Sequence, residues 1–157
     1  MFFEKEYSIN TIINNDIEKT KVYWDESSKQ IFLMCRNETY IKVLLKSKIV
    51  EKSKKKLIEI TKEKAKYYKL QPKKIYVKDQ KSRWGSCSSK GNINLNWRLS
   101  LCPLFITEYV TIHELVHLIH FNHSKNFWEK VHELMKNYQI AKNWLRRNQK
   151  DIFLILT

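Results

Sequence analysis

The 157-residue chain contains only two glycines and two prolines. That scarcity excludes collagen-like, Gly/Ser-linker and loop-dense scaffolds and favours long helices. The three cysteines, Cys35, Cys87 and Cys102, are odd in number and form no CxxC pair. A disulfide framework is therefore not expected, and free thiols in a reducing compartment are. No apolar run approaches the roughly 18 residues that span a bilayer. The opening Met-Phe-Phe-Glu-Lys-Glu-Tyr-Ser has acidic residues where a signal peptide has its apolar core. The expectation is a cytoplasmic protein with no membrane partner.

Acidic residues are also few: 16 against 30 lysines and arginines, a net charge of +14. The imbalance is concentrated in residues 46–81, with fourteen lysines against four acidic residues. Such a run attracts polyanions, nucleic acid among them. It is equally the composition of a solvated helix face.

What the chain does have is His113-Glu-Leu-Val-His-Leu-Ile-His-Phe-Asn-His123. Residues four apart on a helix share a face, so His113 and His117 can place two imidazoles on one zinc ion. Glu114 lies about 100° around the helix from His113, in position to act as base for a metal-bound water. The third ligand is expected from His123, with Glu129 and Glu133 as the other sources. Asn122 tolerates a left-handed C-cap, so the turn is expected there. His120 stands where metzincins carry glycine. A straight helix cannot wrap three collinear histidines around one tetrahedral ion, so His120 is read as lying behind a ligand or facing substrate.

Around this stretch, residues 1–45 read as β-rich. Residues 7–13 form a weakly alternating strand, and strands near 20–24 and 30–35 pair across a polar turn. A third strand is expected from Tyr40. A long helix is expected over 47–70, capped by Ser47, with Ile49, Leu57, Ile60, Ala65 and Tyr68 as its apolar stripe. A short strand at 74–79 and a half-buried strand at 93–97 follow. Both glycines, Gly85 and Gly91, lie in 80–102, marking backbone that side chains would obstruct. Trp84 reads as a core anchor, and Ser86 and Cys87 as fixing the turn at Gly85. Helices are expected at 104–121, 127–138 and 141–147, then an apolar tail. The expected organisation is one domain over 1–157: a β-rich subregion 1–45, a core 46–147 and a tail 148–157.

Four ordered motifs carry a family resemblance. They are Lys81-Ser-Arg-Trp-Gly-Ser-Cys87, Asn92-Ile-Asn-Leu-Asn-Trp-Arg-Leu99, Tyr109-Val-Thr-Ile-His-Glu-Leu-Val-His117 and Asn122-His-Ser-Lys-Asn-Phe-Trp128. Together they closely resemble the YgjP-like metallopeptidases, relatives of the SprT-like and WLM groups, over roughly residues 65–147. The resemblance implies a small α+β zincin with the HExxH motif on its active-site helix. It implies one zinc per chain held by His113, His117 and His123, and Glu114 as catalytic base. The family's arginine-rich N-terminal hairpin and the proline after its Phe-Trp helix are not found here.

The expected activity is peptide-bond hydrolysis by zinc-bound water on a peptide or protein substrate. Arg83, Arg98, Tyr109 and His120 are the candidates for substrate or oxyanion contacts. A peptide is expected to pair along the edge of strand 93–97. Alternatives are a metal-dependent nucleotide pyrophosphatase, a DNA-associated protease of the SprT-like kind, and a nucleic-acid-binding module with a structural metal. The oligomeric state is not legible.

Overall fold

The computed structural model describes residues 1–156; Thr157, the last residue of the expected tail, lies outside the described residues. The chain is α+β, with four α-helices and two three-stranded sheets among the described residues. The N-terminal sheet holds β1 (Ser8–Ile13), β2 (Lys21–Asp25) and β3 (Gln30–Cys35). Its order is β1-β3-β2, with β3 parallel to β1 and antiparallel to β2. Alternation in β3 turns Ile31, Leu33 and Cys35 inward.

The expected third strand at Tyr40 is instead the start of α1 (Thr39–Tyr67). Asn37 Oδ1 accepts from the backbone N–H of Thr39, so the chain is turned into the helix eight residues before Ser47. Ile41, Leu44, Leu45 and Ile49 recur at helical spacing, and this outweighs the β-branched character of the segment. Ile49, Leu57, Ile60 and Ala65 are buried as expected, and Tyr68 packs part-buried at the helix end. Ser53 and Thr61 complete the buried face, and these two polar members are why the apolar period looks loose. Each hydroxyl donates back to the carbonyl one turn earlier, Ile49 and Leu57 respectively.

The second sheet contains β4 (Lys74–Lys78), β5 (Gly85–Cys87) and β6 (Asn92–Asn96), in the order β4-β6-β5. Strand β6 is central, parallel to β4 and antiparallel to β5. This corrects the expected docking edge: a strand paired on both sides offers no free backbone groups to a peptide. The free edge beside the HExxH helix belongs to β5. On β6, Ile93 and Leu95 are fully buried.

A 3₁₀ turn (Trp97–Leu101) leads through Pro103 into α2 (Leu104–Val116). Ser53 Oγ lies 2.7 Å from Ser100 Oγ, fastening α1 to that turn. The helices α3 (Lys125–Leu134) and α4 (Tyr138–Leu154) close the other side of α2. Helix α3 starts at Ser124, whose Oγ accepts from the N–H of Phe127. Helix α4 runs well past the expected end at 147. Ile152 is buried, and the Phe153 ring packs 4.8 Å from Trp84, so the apolar tail docks as helix.

Candidate metal centre

Helix α2 ends five residues earlier than expected. Its last turn tightens, with N–H groups of Leu118 and Ile119 bonded to the carbonyls of Leu115 and Val116. These are i to i−3 bonds of 3₁₀ type. They turn the chain out of the helix at 117–120, and Asn122 has no left-handed backbone. His117 therefore sits at the helix end and His123 on the following loop, free to approach from the side.

The three rings converge. Centroid separations are 4.9 Å for His113–His117, 5.0 Å for His113–His123 and 4.7 Å for His117–His123. One nitrogen from each can be chosen so that all lie within 4.8 Å of one another. His113 Nε2 and His123 Nε2 stand 3.0 Å apart. Two neutral imidazoles facing each other this closely need a proton or a cation between them. His117 Nδ1 lies 2.9 Å from the carbonyl oxygen of His120. Donation from that ring N–H fixes the tautomer and leaves Nε2 as a free donor to a metal.

Packing holds this arrangement. Phe127 is fully buried with its ring centroid 4.9, 4.5 and 4.8 Å from His113, His117 and His123. Trp128 stacks on His123 at 5.7 Å, as expected of a side chain that steadies the loop ligand. Burial, then the charges of His117, His123 and Lys142, hold His113 down to about 3. Burial lowers His117 as well. Both are thus neutral imidazoles at physiological pH, the form that binds metal. Three imidazole nitrogens with one open side fit zinc.

Glu114 is buried, and its Oε2 has no hydrogen-bond partner. Burial pushes its carboxyl up to about 8. Its other face lies against β5. A β-carbon on Gly85 would sit 2.7 Å from Oε1 and 2.8 Å from Cγ of Glu114, so only glycine fits beside this carboxylate. Gly91 answers a different need, a turn with φ of +76°.

The remaining expected site residues are scattered. Arg98 is buried and bonded to Asp79, with its guanidinium over Trp97. Buried and paired there, it presents no free charge to a substrate. Arg83 has an exposed side chain, and its backbone carbonyl accepts from Asn96 Nδ2. Tyr109 stays by the site: it lies one turn before His113, its ring 5.9 Å away. Burial and then the charges of Tyr138 and Glu114 push its phenol up to about 12, so it remains a proton donor. His120 contributes its carbonyl to orienting His117. Glu129 and Glu133 are exposed and pair with Lys125 and Lys130, away from the triad's donor set. Cys87 is half-buried, and burial followed by the Glu114 charge raises its thiol to about 11. It is a protonated thiol, not a nucleophile.

The lysine-rich segment is partly neutralised. Lys46, Lys48, Lys52, Lys56 and Lys64 pair with Asp79, Glu51, Glu26, Glu59 and Glu108. No helix among the described residues is long and apolar enough to cross a membrane. Sequence reasoning missed two members of the site, Tyr138 and Lys142, both on α4. Tyr138 stacks on Trp128 at 5.5 Å, and Lys142 Nζ lies 4.3 Å from the centre of the Trp128 ring. Neither follows a motif, and only the packing of α4 brings them there.

The model of the family described as "YgjP-like, metallopeptidase domain" matches residues 1–148. The match takes in the N-terminal sheet as well as the four motifs. A crystal structure of the metallopeptidase zymogen abylysin from Pyrococcus abyssi is similar in fold. Its TM-score is 0.52 at 19% identity, over 59% of this chain and 95% of that one. No curated protein matches this chain.

Proposed function

The chain belongs to the YgjP-like metallopeptidase family, a family of hydrolases, and on that premise we propose that it is a zinc-dependent endopeptidase. His113, His117 and His123 hold the metal, one ion per chain, and Glu114 is the general base. The observation that carries this reading is the pairing of three convergent imidazoles with a buried carboxylate oxygen that has no partner of its own.

Zinc bound there supplies a Lewis acid that acidifies water and polarises a scissile carbonyl. The chain's own residues do the rest. Glu114 Oε2 takes the proton of the attacking water and returns it to the leaving amine. Burial favours its protonated form and a neighbouring cation favours the carboxylate, so the group is poised to exchange a proton. Tyr109, a protonated phenol beside His113, is the donor for the developing oxyanion. Gly85 keeps the Glu114 carboxylate in place and leaves the edge of β5 bare. An extended peptide pairs with that edge and passes its carbonyl across the three histidines. Slower hydrogen exchange at the β5 amides on adding peptide to zinc-loaded Glu114→Gln protein is the expected sign. Unchanged exchange there would remove the edge-pairing part.

The deciding experiment incubates zinc-loaded wild type and Glu114→Ala with an unfolded protein and a nucleoside triphosphate together, reading all products by mass spectrometry. Glu114-dependent peptide fragments support the reading. Glu114-dependent nucleoside monophosphate and pyrophosphate would replace it with the pyrophosphatase. That alternative has lost Arg98 as a phosphate contact. A parallel tube with single-stranded DNA tests stimulation through the unpaired lysines of the 46–81 segment.

A further inference from the structure

Lys142 is a cation on the aromatic ring beside the candidate centre. Its ammonium rests on the face of Trp128, the ring stacked on His123 and 5.8 Å from His113. Among the described residues it makes no ion pair, whereas the acidic residues of neighbouring α3, Glu129 and Glu133, have lysines of their own. A lysine over an aromatic face is common on protein surfaces. Its position here is what matters. The ring that it covers stacks on His123 and faces His113, so a substrate group paired with Lys142 lies beside the three histidines.

Helix α4 presents Tyr138 and Lys142 one turn apart, on one face. Tyr138 stacks on Trp128 and, at 6.4 Å, on Tyr109. Trp128, Tyr138 and Tyr109 thus form an aromatic wall on the His113 side of the centre, with a single ammonium on it. Strand β5 bounds the Glu114 side. The two arginines expected to give the site a positive contact differ: Arg98 is locked to Asp79, whereas Arg83 is exposed on the loop before β5.

We propose that Lys142 is a specificity-determining residue that selects substrates carrying a carboxylate within about two residues of the cleaved bond, an inference that rests on the peptidase reading. The carboxylate has two sources, an Asp or Glu side chain or the free C-terminus of a peptide. Both meet the same ammonium, whose flexible stem lets it leave the ring for an ion pair while the part-buried Trp128 ring packs the peptide's apolar atoms.

The test profiles cleavage of a peptide library by zinc-loaded wild type, Lys142→Gln and Lys142→Glu, with each peptide as free acid and as C-terminal amide. Wild type is expected to favour acidic residues near the cut, or free acids over amides. The two arms tell the sources apart. The expected loss in Lys142→Gln is about two- to fivefold on acidic substrates, carried by KM, the scale of one exposed charge pair. Lys142→Glu is expected to turn the preference toward lysine and arginine. Identical profiles for the three proteins overturn the proposal.

Binding separates this inference from the reading beneath it. Zinc-loaded Glu114→Gln, with and without Lys142→Glu, is titrated with matched acidic and neutral peptides while tryptophan emission is followed. About tenfold or greater weakening of the acidic peptide alone supports Lys142 even if no peptide is cut. Equal weakening of both peptides, or none, refutes it.

Discussion

Gly85 and Glu114 touch: a β-carbon on the glycine would lie 2.7 Å from the carboxylate oxygen Oε1. Gly85→Ala must therefore displace Glu114, the proposed general base, or bend β5. Its expected effect is a fall in kcat of at least about 100-fold, the size of a lost general base. Zinc affinity is expected within a few-fold of wild type, since the three histidines are untouched. Overpacking costs about 1–3 kcal/mol of stability. Steady-state kinetics, metal content and thermal unfolding on one preparation check all three.

Glu114→Gln keeps the shape beside Gly85 and removes the proposed base. Metal content is expected to equal that of wild type, with turnover lower by about 10²–10⁴. If turnover survived, Glu114 would have to be replaced as the base by another group.

Metal binding should raise stability by mass action. Zinc at about 100 times its Kd adds about 2.7 kcal/mol to unfolding, and a chelator removes it. His123→Ala should lose most of that increment while the protein without metal keeps its melting temperature, because His123 is exposed. A zinc increment unchanged by this substitution would exclude His123 as a ligand.

Asp79 gives a pH signature away from the site. Partial burial raises its pKa, but hydrogen bonds from Arg98, Lys46 and Trp97 outweigh this and hold it at about 2 against an ordinary 3.8. Because the folded value is depressed, its stabilisation is complete above 3.8 and is lost as pH falls from there through about 2. Asp25, in a surface turn, titrates in the same window, so the informative quantity is the difference between wild type and Asp79→Asn. That variant should unfold about 1–2 kcal/mol more easily at neutral pH, after allowing for solvent screening of a half-exposed carboxylate beside a buried arginine. The gap should close below pH 2. Urea unfolding across pH 2–7 measures it.

The histidine cluster was readable because metal chemistry constrains residue type and spacing together. His113, His117 and His123 announce themselves along the chain and meet in the fold. Gly85 was readable as a place where side chains would obstruct, although its neighbour was not. Other features depend on three-dimensional competition. Residues 40–45 look like a strand until the side-chain turn at Asn37 and the helical register with Ile49 are known. Strand β5 is three residues long, too short to show alternation, so the sheet order and its free edge stayed hidden. Arg98 looked available because its partner, Asp79, lies nineteen residues earlier and meets it only across the fold. Lys142 is one lysine among many, and nothing short of the packing of α4 distinguishes it.

His113 and His117 stand on a helix whose other faces are fixed in the core, while His123 stands on a loop. On the proposed reading, an arriving ion meets two prongs set by the helix and a third on a loop, and His123 is expected to close last and open first. We expect the lifetime of the bound ion to track how often residues 118–124 lift from Phe127 and Trp128. Trp128→Ala should then speed zinc release much more than it slows zinc uptake, a ratio that stopped-flow exchange against a chelator would read directly.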